Sequence, residues 1–533
     1  MSNFLNDMKK TTNTTLTENG AGAYKSTLNA CLDMFGSMGA MRHSDEADIQ
    51  SMFEKAFRED PDFAVKMAFY FRDIRGGQGT RRQFRLIMQW LATHDADYVI
   101  NNLRNFMEYG RGDDYLCLLD TPIANRVINT MMAILKEDYI NMKAGKSISL
   151  LAKWMPSENA SSEQTKKYAR QICRVTGWSP KYYRKLLSML RKYLKVVEVQ
   201  MSARDWTNID YATVPGKAAM MYEEAFAEHD ETRYNAYLAD VESGKVAAKA
   251  SALYPVDVVH QAMNIKGNQR RKRVMLNAMW RALPNYLENT EETGICVVDV
   301  SGSMMGEPME VAISLGMYCA DKCRGPFANH FITFSSRPAL VEITGRDIYD
   351  KVNNIKRANW EMSTNLEAVF DLMLETAVQN HTPQTDMPQK LYIISDMQFD
   401  EARDVDGCYG YYGRRGSTTK PFMQSMKRKY AAAGYNMPAI VYWNVRASKC
   451  GMFQSTFEGE NCCMVSGYSA SLFKSVIEGT TYEVEEVTVS DTAYGDTEQM
   501  KSVQTLKANI DPMTVMQTAV NNERYDAVWT RKS

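Results

Sequence analysis

The stretch ICVVDVSGSMMGEP, residues 295–308, decides the fold. Four apolar residues run straight into Asp-Val-Ser-Gly-Ser, so Asp299, Ser301 and Ser303 stand at alternate positions just past an apolar segment. A short run that is apolar at every position, rather than at every second one, fits a strand covered on both faces. Such strands belong to parallel sheets flanked by helices. Glu307 and Pro308 follow, and proline suits a first helical turn because its missing N–H is an orphan there anyway. In an open parallel sheet, ligands lie beyond the carboxyl ends of the strands. Three oxygen-bearing side chains therefore stand where a ligand would.

Working outward, the same texture continues downstream. HFITFSS (330–336), LYIISDM (391–397), AIVYWNV (439–445) and CCMVSG (462–467) read as further strands. MEVAISLGMYCADKC, STNLEAVFDLMLETAV and SASLFKSVIEG read as the helices between them. Strand–helix alternation predicts an α/β doubly wound domain. Two more oxygen donors fall where the same sheet edge should be: Thr364, opening a helix, and Asp396, ending a strand. Carboxylates and hydroxyls are hard ligands, so the set Asp299, Ser301, Ser303, Thr364 and Asp396 suits Mg²⁺, with Mn²⁺ as the alternative. No His or Cys joins it, which disfavours zinc. The competing reading is turn chemistry, in which Asp and Ser side chains satisfy nearby backbone groups.

Residues from about 20 to 290 have a different texture. In DPDFAVKMAFYFRDIR the apolar positions Phe63, Met67, Phe71 and Ile74 recur every three or four residues, which makes one apolar helix face. Asp60 and Pro61 form a helix start. GGQG at 76–79 breaks the pattern before RRQFRLIMQWLATH. It lacks the Lys-Ser/Thr of a phosphate loop and reads as a tight helix-to-helix turn. Helix pairs with short turns and no fixed period suggest an all-α array of irregular, HEAT-like repeats. Asp113 and Asp114 read as residues that cap the next helix and pair with a nearby base. The polar stretch beyond 480 reads as a loosely packed extension.

The chain has 533 residues, a net charge of −1 and ten cysteines. The length implies at least two domains. The polar start has no signal-peptide core, no apolar run is long enough to span a membrane, and no C-x-x-C pair occurs. Reduced thiols in a cytoplasm are the simplest expectation. No activated nucleophile motif or zincin motif occurs, so an enzyme is not expected. One segment is locally basic: residues 165–200 hold ten Lys or Arg and one acidic residue, Glu198. Lys166, Lys167, Arg170, Arg174, Lys181, Arg184, Lys185, Arg191 and Lys192 form its core, with Trp178, Tyr182, Tyr183 and Tyr193 interleaved. Cations with aromatics are the ingredients of phosphate neutralisation and base stacking. A plain solvated helix face is the alternative.

Two resemblances extend this reading. D-x-S-x-S followed by Thr364 and Asp396 resembles the metal-ion-dependent adhesion site (MIDAS) of a von Willebrand factor A domain. That resemblance implies that Ser301, Ser303 and Thr364 contact the ion by hydroxyls, while Asp299 and Asp396 hold it directly or through water. It leaves one position for an acidic group from a protein partner. FRDIRGGQGTRRQF (71–84), GRGDD (110–114), AKWMPS (152–157) and residues 183–218 resemble an uncharacterised family of helical proteins carrying such a domain. In layout that family is similar to the Ro autoantigen family, whose TROVE module is a ring of irregular helical repeats. The implied organisation is a TROVE-like helical domain over 20–290, a von Willebrand A domain over 291–480, and an extension over 481–533. The implied function is a cytoplasmic RNA-binding scaffold, a ribonucleoprotein component without a membrane role. A metal-dependent interaction or assembly module without RNA is the alternative.

Overall fold

The computed structural model describes residue 8 and residues 12–532, except 268, 289–292, 335–336, 358–364, 401–421, 448–452, 460 and 492–498. The chain folds into two compact units, each assembled from separated segments. One comprises Met1–Ser44, Tyr254–Ile265 and Pro284–Ala519; the other comprises Asp45–Leu253, Lys266–Leu283 and Val520–Ser533. The sequence boundaries near 290 and 480 are therefore crossed at both ends of the chain.

The α/β unit opens with a hairpin of β1 (Thr14–Leu16) and β2 (Gly22–Tyr24). Its central sheet contains β3 (Gly294–Asp299), β4 (His330–Phe334), β5 (Leu340–Glu342), β6 (Lys390–Ser395), β7 (Ala439–Asn444) and β8 (Cys462–Ser466). The order across the sheet is β5-β4-β3-β6-β7-β8. All neighbours are parallel except β5 against β4. Every residue of β3, β6, β7 and β8 is buried, as the uniformly apolar runs require. β5 escaped the pattern because it is a three-residue edge strand whose first residue, Leu340, is 59% exposed.

Alternation along each strand supplies two cores. Ile295, Val297, Ile393 and Tyr442 pack with Val369 and Phe370 of helix Leu366–Gln379. On the opposite face, Tyr318 of helix Glu307–Lys322 and Tyr392 and Trp443 of the sheet surround Phe473, with ring centroids 5.9, 5.0 and 4.7 Å away. The connection sense reverses between β3 and β6, which makes their carboxyl ends the switch point where doubly wound sheets hold ligands. The stretch after 480 is more ordered than its polar composition suggested. β9 (Thr480–Asp491) pairs antiparallel with β10 (Gln499–Ile510), and helix Pro512–Val520 follows.

Among the described residues the other unit contains no strand, in keeping with its 3.6-residue periodicity. Helix Pro61–Arg72 begins as the sequence implies: the Asp60 carboxylate accepts from the Phe63 amide at 3.0 Å, with proline at the first turn. GGQG is the tight turn into helix Arg81–His94. The Gln78 amide donates to the Tyr70 carbonyl at 3.2 Å, and a Cβ on Gly77 would stand 1.8 Å from that same oxygen. Only glycine fits there.

The GRGDD motif is spent on the core of this unit. Asp114 is fully buried and accepts from Arg72 at 2.7 Å and from Arg85 at 2.7 Å. Its other oxygen contact caps the Arg111 amide at 2.9 Å. Burial works to raise the Asp113 pKa, but the hydrogen bonds and charges of Arg111 and Arg85 overcome it and hold it at about 2. The chain's last residues also dock in this unit: the Arg524 guanidinium pairs with Asp73, and Tyr525 and Val528 are fully buried. No helix among the described residues is long and apolar enough to cross a membrane.

Candidate metal centre and basic face

β3 ends at Asp299, whose side chain is fully buried. One carboxylate oxygen accepts from the Ser301 amide at 2.9 Å; the other accepts from the Ser395 hydroxyl at 2.5 Å. Ser395 closes the neighbouring strand β6, so the parallel register of β3 and β6 is what brings these two side chains together. The Ser301 and Ser303 hydroxyls lie 3.1 Å apart. The Ser303 hydroxyl lies near enough to the Asp396 carboxylate to favour its charged form, and that carboxylate accepts from the Gln398 amide at 3.2 Å. Hydrogen bonds thus link Ser395, Asp299, Ser301 and Ser303 at the switch point, the Asp299–Ser301 step through a backbone amide, with Asp396 beside Ser303. Thr364, the fifth expected donor, lies outside the described residues.

The electrostatics follow from this crowding. Burial chiefly, together with repulsion from Asp396, raises the Asp299 pKa to about 6 against the pull of the Ser395 and Ser301 hydrogen bonds. Burial likewise raises that of Asp396, opposed by Ser303, Gln398 and the charge of Arg446. Two carboxylates each held above the usual range by burial, one also by the other's charge, are an unfavourable pair in the absence of a cation. Hydroxyls on the same rim add neutral oxygens. That donor set fits a small divalent ion. Among the described residues no cluster of three or more His, Cys, Asp or Glu side chains could hold a metal; this set has two carboxylates and draws the rest from hydroxyls. The Ser301 amide to Asp299, the Met397 amide to Ser395 and the Gln398 amide to Asp396 are also the turn interactions of the competing reading, so the two readings share those contacts and differ in the hydroxyl and carboxylate oxygens left over.

Sequence reasoning missed three residues here. Ser395 sits directly before Asp396, and its position at the end of a strand adjacent to β3 was the signal. Arg446, just past β7, places its guanidinium on the Ser303 carbonyl. Gln398 is 5% exposed and anchors the loop after Asp396.

The basic segment forms helices Glu163–Thr176 and Pro180–Tyr193 of the all-helical unit. Ser162 and Ser179 cap their N-termini, accepting from Thr165 and Tyr182, and Gly177 with φ 68° ends the first. Ala169, Ile172, Tyr183, Leu186, Leu187 and Leu190 turn inward. Lys167, Arg170, Arg174, Lys181, Arg184, Lys185 and Lys192 are exposed. Lys166 is half-buried and pairs with Glu163 at 2.7 Å; Lys167 pairs with Asp120 at 2.7 Å. Arg191 differs from the rest. It donates to the Ala152 and Met155 carbonyls and the Ser157 hydroxyl at 2.8, 2.8 and 3.0 Å, which makes it a structural clamp. The aromatics also divide. Tyr183 is fully buried, whereas Tyr182 and Tyr193 are 51% and 37% exposed, and Trp178 packs edge-on to Tyr182 at 5.1 Å.

Comparison with known proteins places these features in two regions of unassigned role. The family described as Domain of unknown function (DUF7788) matches residues 293–520. Domain of unknown function (DUF2828) matches residues 17–111 and 176–292. Uncharacterized protein L728 of Acanthamoeba polyphaga mimivirus is 32% identical over 507 residues, covering 88% of this chain and 86% of that protein.

Proposed function

This chain belongs to the same family as the mimivirus protein L728, and from that premise we propose that it is a Ro-like RNA-binding scaffold with a von Willebrand A domain. On this reading the α/β unit holds Mg²⁺, or Mn²⁺, through Asp299, Ser301, Ser303, Thr364 and Asp396. Held there, the ion would leave one coordination position for an acidic group of a protein partner. The all-helical unit takes single-stranded or misfolded RNA along its basic face.

The observation that carries the reading is the gathering of the Asp299 and Asp396 carboxylates with the Ser301, Ser303 and Ser395 hydroxyls at the switch point of a parallel sheet. Arg446 favours an anionic partner there, since its positive charge lies beside the same rim. When bound, the ion supplies a Lewis-acidic position for one further oxygen ligand. The chain's own residues orient it and exclude water from the sheet side. This is binding chemistry, and it needs no activated nucleophile.

The RNA half rests on exposed cations that lie on two consecutive helices beside exposed Tyr182 and Tyr193. Single-stranded RNA should bind the purified chain with an affinity that falls steeply as salt rises. Changing Lys181, Arg184 and Lys185 together to Glu should abolish that binding. Salt-independent or absent binding by the wild type would leave the second reading, an assembly module that grips an acidic partner through the metal without RNA.

A further inference from the structure

The loop after β6 carries an unusual backbone. Met397 is a fully buried, non-glycine residue at φ 66°. A left-handed conformation is disfavoured for a side-chain-bearing residue, and such residues persist where the surroundings over-determine them. Locally, the Met397 amide donates to Ser395 Oγ at 3.0 Å, and the Gln398 amide to Asp396 Oδ1. Met397 and Phe399 also pack in the core of the sheet, Phe399 against Phe334 and Tyr442, and further restraints come from the N-terminal segment.

The β1–β2 hairpin grips this loop from its turn. The Thr17 hydroxyl donates to the Phe399 carbonyl at 2.8 Å, and the Asn19 amide group to the Gln398 carbonyl at 2.8 Å. The Glu18 backbone amide donates to Gln398 Oε1 at 2.9 Å. Gly20 pairs antiparallel with Asp400. Gln398 is therefore held on both sides, by Asp396 through its own amide and by the hairpin through its carbonyl and side chain. Two three-residue strands do not persist alone in water. This hairpin is supported where it docks, with Tyr24 exchanging both backbone bonds with Phe453 at 2.8 and 2.9 Å.

The next segment secures the other side of the same rim. The Gly39 amide donates to Ser466 Oγ at 3.0 Å, and Ser466 donates to the Phe35 carbonyl at 2.8 Å. The Ala447 amide reaches the Ala40 carbonyl at 3.3 Å, directly beside Arg446. Residues 17–40 thus touch the loops that bear Asp396 and Arg446.

We propose that the N-terminal segment is a built-in clamp of the metal centre. Thr17 and Asn19 are positioning residues that act on Asp396 through Gln398 and Phe399. Hairpin docking and cation binding are then coupled, and linkage makes the coupling reciprocal: each strengthens the other by the same factor. The inference rests on the metal reading above.

The test uses the full chain with Mn²⁺ as the probe. Manganese affinity is titrated by electron paramagnetic resonance, and amide hydrogen exchange is followed over residues 17–24 with and without Mn²⁺. The double variant Thr17→Val with Asn19→Ala should bind Mn²⁺ about tenfold more weakly, the lower end of what loss of an outer-shell partner gives. Thr17→Ser should bind as the wild type does. In the wild type, Mn²⁺ should slow exchange of the hairpin amides. Wild-type affinity in the double variant, with hairpin exchange indifferent to Mn²⁺, overturns the clamp and leaves the metal site standing. A wild type that takes up no Mn²⁺ overturns the metal reading itself, and the clamp with it.

Discussion

Replacing Asp299 by Asn should stabilise the cation-free protein while destroying its response to Mg²⁺. Asn keeps the shape and an oxygen for the Ser301 amide but removes a buried charge. Burial raises the Asp299 pKa to about 6 from its ordinary 3.8. At pH 7.5 the ionised carboxylate therefore opposes folding by about two pH units, or roughly 3 kcal/mol at 1.36 kcal/mol per unit. The sign is fixed by linkage: the folded state holds the proton more tightly than the unfolded one, so this group's contribution is neutral below about pH 4. Stability is then lost as pH rises toward 6, and the penalty is complete above it. At about 2.1 cal/mol/K of unfolding entropy per residue, a change of 1 kcal/mol moves the midpoint of a unit of about 290 residues by roughly 1.5–2 °C. In EDTA at pH 7.5, Asp299→Asn should thus raise the melting temperature of the α/β unit by roughly 4–6 °C, and by far less at pH 4.5. Saturating Mg²⁺ at a hundred times its dissociation constant should stabilise the wild type by about 2.7 kcal/mol and the variant not at all. Differential scanning calorimetry across pH, with and without Mg²⁺, reads all of these quantities. A variant less stable than the wild type in EDTA at pH 7.5, together with a wild type whose stability ignores Mg²⁺, would refute the reasoning and favour turn chemistry alone.

Further outcomes follow from the same geometry. Cation binding requires ionised carboxylates, so Mg²⁺ affinity measured by titration calorimetry should weaken as pH falls below about 6, where Asp299 takes up its proton. Asp114→Ala leaves Arg72 and Arg85 without their buried partner. It should cost the all-helical unit about 3–5 kcal/mol in denaturant unfolding, with the Mg²⁺ shift of the other unit unchanged. Arg191→Ala should lower thermal stability through its lost carbonyl bonds, whereas Lys185→Ala should leave stability unchanged and weaken RNA binding. Gly39→Ala would put a Cβ 2.1 Å from the Ser466 carbonyl. Backbone must shift to admit it, so hydrogen exchange along β8 should accelerate.

Most of the α/β sheet was legible because burial on both faces leaves no choice of residue. The runs at 295–300, 391–397 and 439–445 returned as β3, β6 and β7 within a residue or two. What composition hides is pairing. β9 reads TTYEVEEVTVSD, whose acidic residues suggested a solvated tail, yet its alternation is that of a strand paired along its length. The assembly of each unit from distant segments was not legible at all, because Thr17 and Phe399 carry no mutual sequence signal. At the site, Asp299, Ser301, Ser303 and Asp396 were legible from residue type at strand ends. Ser395 and Arg446 were not, since a serine inside an apolar run and an arginine after one are ordinary until register sets them beside a carboxylate. On the basic face, charge located the segment, but only packing separates Arg191, turned onto carbonyls, from Lys185 in solvent.

The central claim is that hydroxyls and carboxylates from separate strands converge on one divalent cation. Anomalous diffraction from crystals of the full chain grown with Mn²⁺ tests it most directly. The account predicts one strong manganese peak bounded by the Ser301 and Ser303 hydroxyls, with Asp299 and Asp396 facing it directly or through water, and no such peak in Asp299→Asn. Manganese at millimolar concentration with no peak at that rim, or with its peak elsewhere on the chain, would contradict it.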